Sequence, residues 1–140
     1  MFRASMVMTI ALGTCLSLAG CAGSFVEMRS RPIEELKKLN AVTLCSLYGG
    51  DRQDIKKIIL DKGYLNASQF SDAESKNIKI GDPACSALIA FGNPNRTDGR
   101  INTTIVSGIV REQWVYKKFS ENFPYMYIYI TNGHISGIQL

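Results

Sequence analysis

Few side chains in this 140-residue sequence have the types and spacing that chemistry requires. The single histidine, His134, has no sequence-local carboxylate or nucleophile, so neither a catalytic triad nor a multi-histidine metal site can be assembled around it. Asp51 and Asp54 fall in the first turn of an expected helix, where the helix dipole already accounts for them. Gly49-Gly50, Gly81 and Gly92 read as helix stops and turns, and no glycine loop of phosphate-binding spacing is present. Lys37-Lys38 and Lys56-Lys57 read as solvated helix faces. The expectation is a non-enzymatic protein without a cofactor. The most informative remaining group is aromatic: Trp114, Tyr116, Tyr125, Tyr127 and Tyr129. It reads either as core or, if the side chains lie on an uncovered sheet face, as a rigid amphipathic surface for a protein partner.

The N-terminus falls into three zones. Arg3 supplies a positive start, Met6 to Leu18 is uncharged and mostly apolar, and Ala19 and Gly20 are small, which is the order of a secretory signal. The apolar stretch is about 13 residues, short of the roughly 20 that a spanning helix needs. Leu18-Ala19-Gly20-Cys21 resembles the lipobox of bacterial lipoproteins. That resemblance implies cleavage before Cys21, acyl chains such as palmitate on Cys21, and attachment to a membrane without crossing it. In enterobacterial lipoproteins an aspartate after the lipidated cysteine marks inner-membrane retention. Ala22 stands there in this chain, which favours the outer membrane.

Removing residues 1–20 takes Cys15 with them, and lipid consumes Cys21. Cys45 and Cys85 remain, in an oxidising compartment, and a disulfide between them is expected. Zinc is the weaker reading, because two thiolates with no nearby cysteine or histidine leave a tetrahedral site incomplete. The formal charge of +4 falls to 4 − 1 = +3 without Arg3. This is too diffuse to indicate nucleic acid, which export also disfavours.

After cleavage about 120 residues remain, enough for one domain. Residues 21–31 read as a lipidated tether and 32–140 as a single α+β domain. From Pro32, Ile33, Leu36, Leu39 and Val42 recur every three positions, joined by Ala41, Leu44 and Cys45, and predict one amphipathic helix stopped by Gly49-Gly50. Asp51 is expected to cap a second helix carrying Ile55, Ile58 and Ile59. Asn66 and Gln69 have the spacing of a capping box for a third. Asn77 to Ile80 reads as briefly extended, and Asp82-Pro83 opens a fourth helix closed by Gly92, with Cys85 near its inner face. Strands are then predicted near Thr103–Val106 and Ile109–Lys117. Tyr125–Thr131 and His134–Leu140 follow as a hairpin around Asn132-Gly133, with Ile130 opposite Ile135, Ile128 opposite Gly137 and Tyr127 opposite Ile138. The architecture expected is N-terminal helices packed on a C-terminal three- to four-stranded antiparallel β-meander.

Within residues 77–140, Ile80-Gly81, Leu88, Phe91-Gly92-Asn93-Pro94, Ile101-Asn102-Thr103-Thr104, Gly108, Glu112-Gln113-Trp114-Val115-Tyr116, Tyr127 to Ile130, Asn132-Gly133 and Ile138-Gln139 together resemble small envelope lipoproteins of the SmpA/OmlA (BamE-like) type. The resemblance implies helices on an antiparallel sheet and a non-enzymatic role in envelope integrity or outer-membrane protein assembly. Where that family usually carries Gly-Met and a small residue, this chain has Gly81-Asp82-Pro83. The expected protein is thus an adaptor or scaffold on the periplasmic face of the outer membrane, held by Cys21 and binding an envelope protein. The alternative is a periplasmic inhibitor or exclusion lipoprotein that binds a foreign or secreted protein.

Overall fold

A computed structural model describes residues 25–96, 98–117 and 120–140. Among these, helices α1 (Phe25–Arg29), α2 (Ile33–Leu36), α3 (Ala41–Leu47), α4 (Gln53–Asp61), α5 (Ala67–Glu74) and α6 (Ala84–Phe91) precede strands β1 (Arg100–Val106), β2 (Ile109–Lys117), β3 (Tyr125–Thr131) and β4 (His134–Gln139). The strands form one antiparallel sheet in the order β1-β2-β3-β4. The chain therefore has an α+β fold with helices first and a four-stranded meander after them.

The helix expected from Pro32 onward is instead two, α2 and α3. Residues spaced strictly by three drift around an α-helix, so Ile33 and Val42 would point about 180° apart on a continuous one. The chain breaks between them, and the Asn40 side chain caps α3 by accepting the Thr43 N–H at 2.8 Å. Leu36, Leu44 and Cys45 become buried, while Ile33 and Val42 stay outside.

Asp51 does not cap α4, whose N-cap is Arg52. Asp51 pairs with Arg29, and Asp54 binds Arg52 through two hydrogen bonds of 2.8 and 2.6 Å. The Arg52 guanidinium, helped by the Ile55 N–H, holds the Asp54 carboxyl below its ordinary range despite its partial burial. The capping box of α5 is present as expected, with both Asn66 and Gln69 side chains engaged.

At α6 the cap is Pro83, which has no side-chain donor or acceptor to offer. The hairpin supplies the partners. The Ala84 N–H reaches Gly133 O, the Ile135 N–H reaches Asp82 O, and the Gly81 N–H reaches Ile135 O, each at 2.8 Å. Residues 81–84 thereby run along the outer edge of β4, with Pro83 bridged to His134. Asn77 to Ile80 forms no strand.

Residues 25–31, read as tether, begin with α1. Its Phe25 and Met28 pack against the core, so ordered packing starts before Pro32.

The core lies between the helices and one face of the sheet. Leu36, Leu44, Leu47, Tyr48, Ile55, Ile59, Leu65 and Phe70 meet Trp114, Ile128, Ile130 and Ile135 there. A disulfide between Cys45 and Cys85 ties α3 to α6, with the Cα atoms 5.5 Å apart. Tyr48, at the C-terminal end of α3, joins it to α5: its ring meets Phe70 edge-on at 5.1 Å, and its hydroxyl donates to Glu74 Oε1 at 2.5 Å. Lys56 bonds the other Glu74 oxygen at 3.1 Å and lies 4.7 Å from the Phe70 ring centroid. Burial, then the Glu74 carboxylate, pushes the Tyr48 phenol up to about 12.

The β3–β4 hairpin turns at Asn132-Gly133, both at positive φ, the geometry of a type I′ turn. Ile130 pairs with Ile135 as expected, but Ile128 pairs with Ile138 and Tyr127 with Gln139. A bulge between Tyr129 and Ile130 moves the register by one residue. Ser136 is left over there; its hydroxyl donates to Tyr129 O at 3.2 Å and accepts from Thr131 at 3.0 Å. Without the bulge Gly137 would face the core and Ile138 the solvent.

Candidate interaction surface

Period-two alternation sorts the aromatic set into two groups. Trp114 pairs with Ile128 and Tyr116 with Met126, so both lie on the helix-covered face. They are 1% and 4% exposed, which withdraws them from the partner surface expected from sequence. The Trp114 indole N–H donates to Glu112 Oε2 at 3.2 Å. The Tyr116 hydroxyl donates to Gly92 O at 2.9 Å, its ring packs on Phe91, and burial pushes its phenol well above the ordinary value.

Tyr125, Tyr127 and Tyr129 occupy the alternate positions of β3 and point to the opposite face, which none of the described helices covers. A line of hydrogen bonds crosses all four strands of that face. The Asn102 amide donates to Gln113 Oε1 at 3.1 Å, the Gln113 amide to Tyr129 OH at 3.3 Å, and Tyr129 OH to Gln139 Oε1 at 3.0 Å. Gly137, opposite Tyr129, makes room for the ring, since a Cβ there would stand 3.3 Å from Tyr129 Cδ2. Toward the start of β3 the surface becomes apolar. Tyr125 and Tyr127 lie with ring centroids 6.3 Å apart, and with Asn122, Phe123, Pro124 and Leu140 they line a shallow cleft of about 270 Å³. Phe123, Tyr125 and Leu140 are each more than 40% exposed.

The polar line and the contribution of Phe123 and Leu140 were not anticipated from sequence. Gln113 beside Trp114 in an alternating strand was the available signal, since it marks which parity faces outward. A second unanticipated feature lies at α1. The Phe25 ring is held between Arg29 at 5.4 Å and Arg96 at 3.6 Å, beside a cleft of about 430 Å³ bordered by Leu88 and Ile89.

Other sequence candidates are placed apart from this face. His134 is exposed at the turn, with Nδ1 3.3 Å from Asn132 O. Lys37 pairs with Glu34 at 2.8 Å and Lys57 with Asp61 at 2.5 Å on helix surfaces. Cys21, with the signal segment before it, lies outside the described residues. Among those residues no helix is long and apolar enough to cross a membrane. The chain matches no family model, no curated protein and no solved structure.

Proposed function

We propose that this chain is an envelope lipoprotein, anchored through lipid on Cys21 to the periplasmic face of the outer membrane. It serves as a non-enzymatic adaptor or scaffold in envelope integrity or outer-membrane protein assembly. The observation that carries the adaptor reading is the uncovered sheet face, where three tyrosines and a hydrogen-bonded polar line stand beside the cleft at Phe123 and Leu140. Tyrosine presents large amphipathic area at low entropic cost, and the polar line holds Tyr129 in place before a partner arrives. The SmpA/OmlA resemblance agrees with this role. So does the anchor, because Cys21 and Phe25 are only four chain steps apart and each step spans at most about 3.5 Å. Lipid on Cys21 would hold the domain within roughly 14 Å of the membrane at its α1 end.

Two measurements test the reading. Cys21→Ser is expected to abolish incorporation of labelled fatty acid, and unchanged labelling removes the anchor. A photoreactive phenylalanine analogue at Tyr125, activated in intact envelopes, is expected to capture a resident barrel or assembly component. Capture of a hydrolase or phage protein instead establishes the inhibitor reading.

A further inference from the structure

The two edges of the sheet are treated differently. Among the described residues, 81–84 run along β4, whereas β1 has β2 on one side and no further strand on the other. Strand β1 reads Arg-Ile-Asn-Thr-Thr-Ile-Val, is exposed at all but one position, and lacks the proline, bulge or lysine that commonly blunts such an edge.

Hydrogen-bond parity shows what the edge offers. The Asn132 N–H donates to Val110 O at 2.9 Å, and the Val110 N–H donates to Asn132 Oδ1 at 3.1 Å, so Val110 directs its backbone groups toward β3. Its partner Ile105 therefore directs its own N–H and C=O away from β2. Alternation extends this to Thr103 and Ile101, leaving three residues whose backbone groups face outward.

We infer that β1 pairs antiparallel with β1 of a second copy of this chain, about a twofold axis through Thr103, joining two four-stranded sheets into one. The register follows from the residues. Thr103 meets Thr103 of the other copy and Ile101 meets Ile105, so the three outward-facing residues of each strand pair with each other, with two backbone hydrogen bonds per pair. Face parity agrees, since Ile101, Thr103 and Ile105 share the helix-side face and Asn102 meets Thr104 on the other. Ile105, 68% exposed although it faces Val110 across the β1–β2 ladder, gains a second apolar cross-strand neighbour, and Arg100 comes opposite Val106 rather than another cation. A shift by one residue would place helix-side residues against outer-face ones. The twofold symmetry makes the contact self-limiting at two copies.

The test uses the full chain in detergent, by light scattering over a concentration series reaching ~1 mM, because an edge contact buries less than the roughly 1,200 Å² of a standard complex. A mass of two chains is expected at the upper end, returning to one chain in Thr103→Pro. Proline there removes an outward N–H and leaves the β1–β2 ladder whole, which near-ultraviolet circular dichroism checks. Thr103→Cys is expected to form a disulfide-linked dimer, since facing residues of this kind lie about 5.5 Å apart. Thr104→Cys should not, because its two copies are offset by more than about 7 Å. A single-chain mass throughout, a dimer that survives Thr103→Pro, or equal linking by both cysteine variants overturns the inference.

Discussion

The two faces of the sheet are written by the same strand. In Tyr125–Thr131, Met126, Ile128 and Ile130 are buried against the helices, while Tyr125, Tyr127 and Tyr129 stand on the other side. Strand β2 divides likewise, with Glu112, Trp114 and Tyr116 inward and Arg111, Gln113 and Lys117 outward. Both faces carry aromatic rings, but with different partners. On the inner face Trp114 and Tyr116 are buried, each with one hydrogen bond at its polar edge, and contribute chiefly through exclusion of water. On the outer face Tyr129 is fixed by amides and Tyr125 is left open. The difference teaches that aromatic content alone does not locate a docking surface; strand parity and what covers each face do.

The largest break in that comparison comes from the inner face. Trp114→Ala removes the largest fully buried side chain and is expected to cost about 3–5 kcal/mol in denaturant unfolding. A loss below ~1 kcal/mol would mean that the two faces are not energetically distinct.

Next is the staple behind the inner face. Cys45 and Cys85 close a separation of 40 residues, which restricts the unfolded chain by about 4 kcal/mol on the entropy model. The double variant Cys45→Ala/Cys85→Ala should unfold at correspondingly lower denaturant. Alkylation of the unfolded mature chain without reductant should modify neither cysteine in the parent.

A smaller effect is expected from the cluster of Tyr48, Lys56 and Glu74 among the helices. The Tyr48 hydroxyl, then Lys56, lowers the Glu74 carboxyl below its ordinary value of 4.5. A depressed folded-state value contributes stability that is present above pH 4.5 and is lost as pH falls through the lowered value. Glu74→Gln should therefore lower stability at neutral pH by about 1 kcal/mol and flatten the acid limb of the stability curve. Equal acid sensitivity in parent and variant would assign that limb to other carboxylates, Asp54 among them.

Much of this arrangement was legible in the sequence for physical reasons. The Asn66 and Gln69 capping box and the Asn132-Gly133 turn are local, and both formed as expected. The disulfide followed from compartment and count. What failed depended on tertiary partners. Trp114 and Tyr116 were grouped with the β3 tyrosines because composition does not reveal which parity the helices cover. The register beyond Ile130 changed because a bulge leaves Ser136 over, which puts Ile138 rather than Gly137 on the helix side and sets Gly137 opposite the Tyr129 ring. The start of α6 was read from Asp82-Pro83 alone. Its backbone partner is the hairpin about fifty residues later, which no local pattern announces.

The smallest expected change in stability is also the one that sharpens the comparison most. Tyr125 is 44% exposed and rests beside Tyr127 at the open cleft, so replacing both with serine removes little buried area. Substitutions of that kind stay within about 0.5–1 kcal/mol, since only cross-strand contacts are lost. Val115, opposite Tyr127, is buried and sets the upper part of that range, because truncating the ring uncovers it. Partner capture, by contrast, should fall steeply, since interface energy concentrates in a few aromatic anchors. A protein that keeps its melting temperature and loses its crosslinked partner separates the outer face from the inner one by function as well as by burial. If Tyr125→Ser/Tyr127→Ser loses as much stability as Trp114→Ala, these tyrosines belong to the core. If it keeps both stability and capture, the docking site lies elsewhere on the molecule.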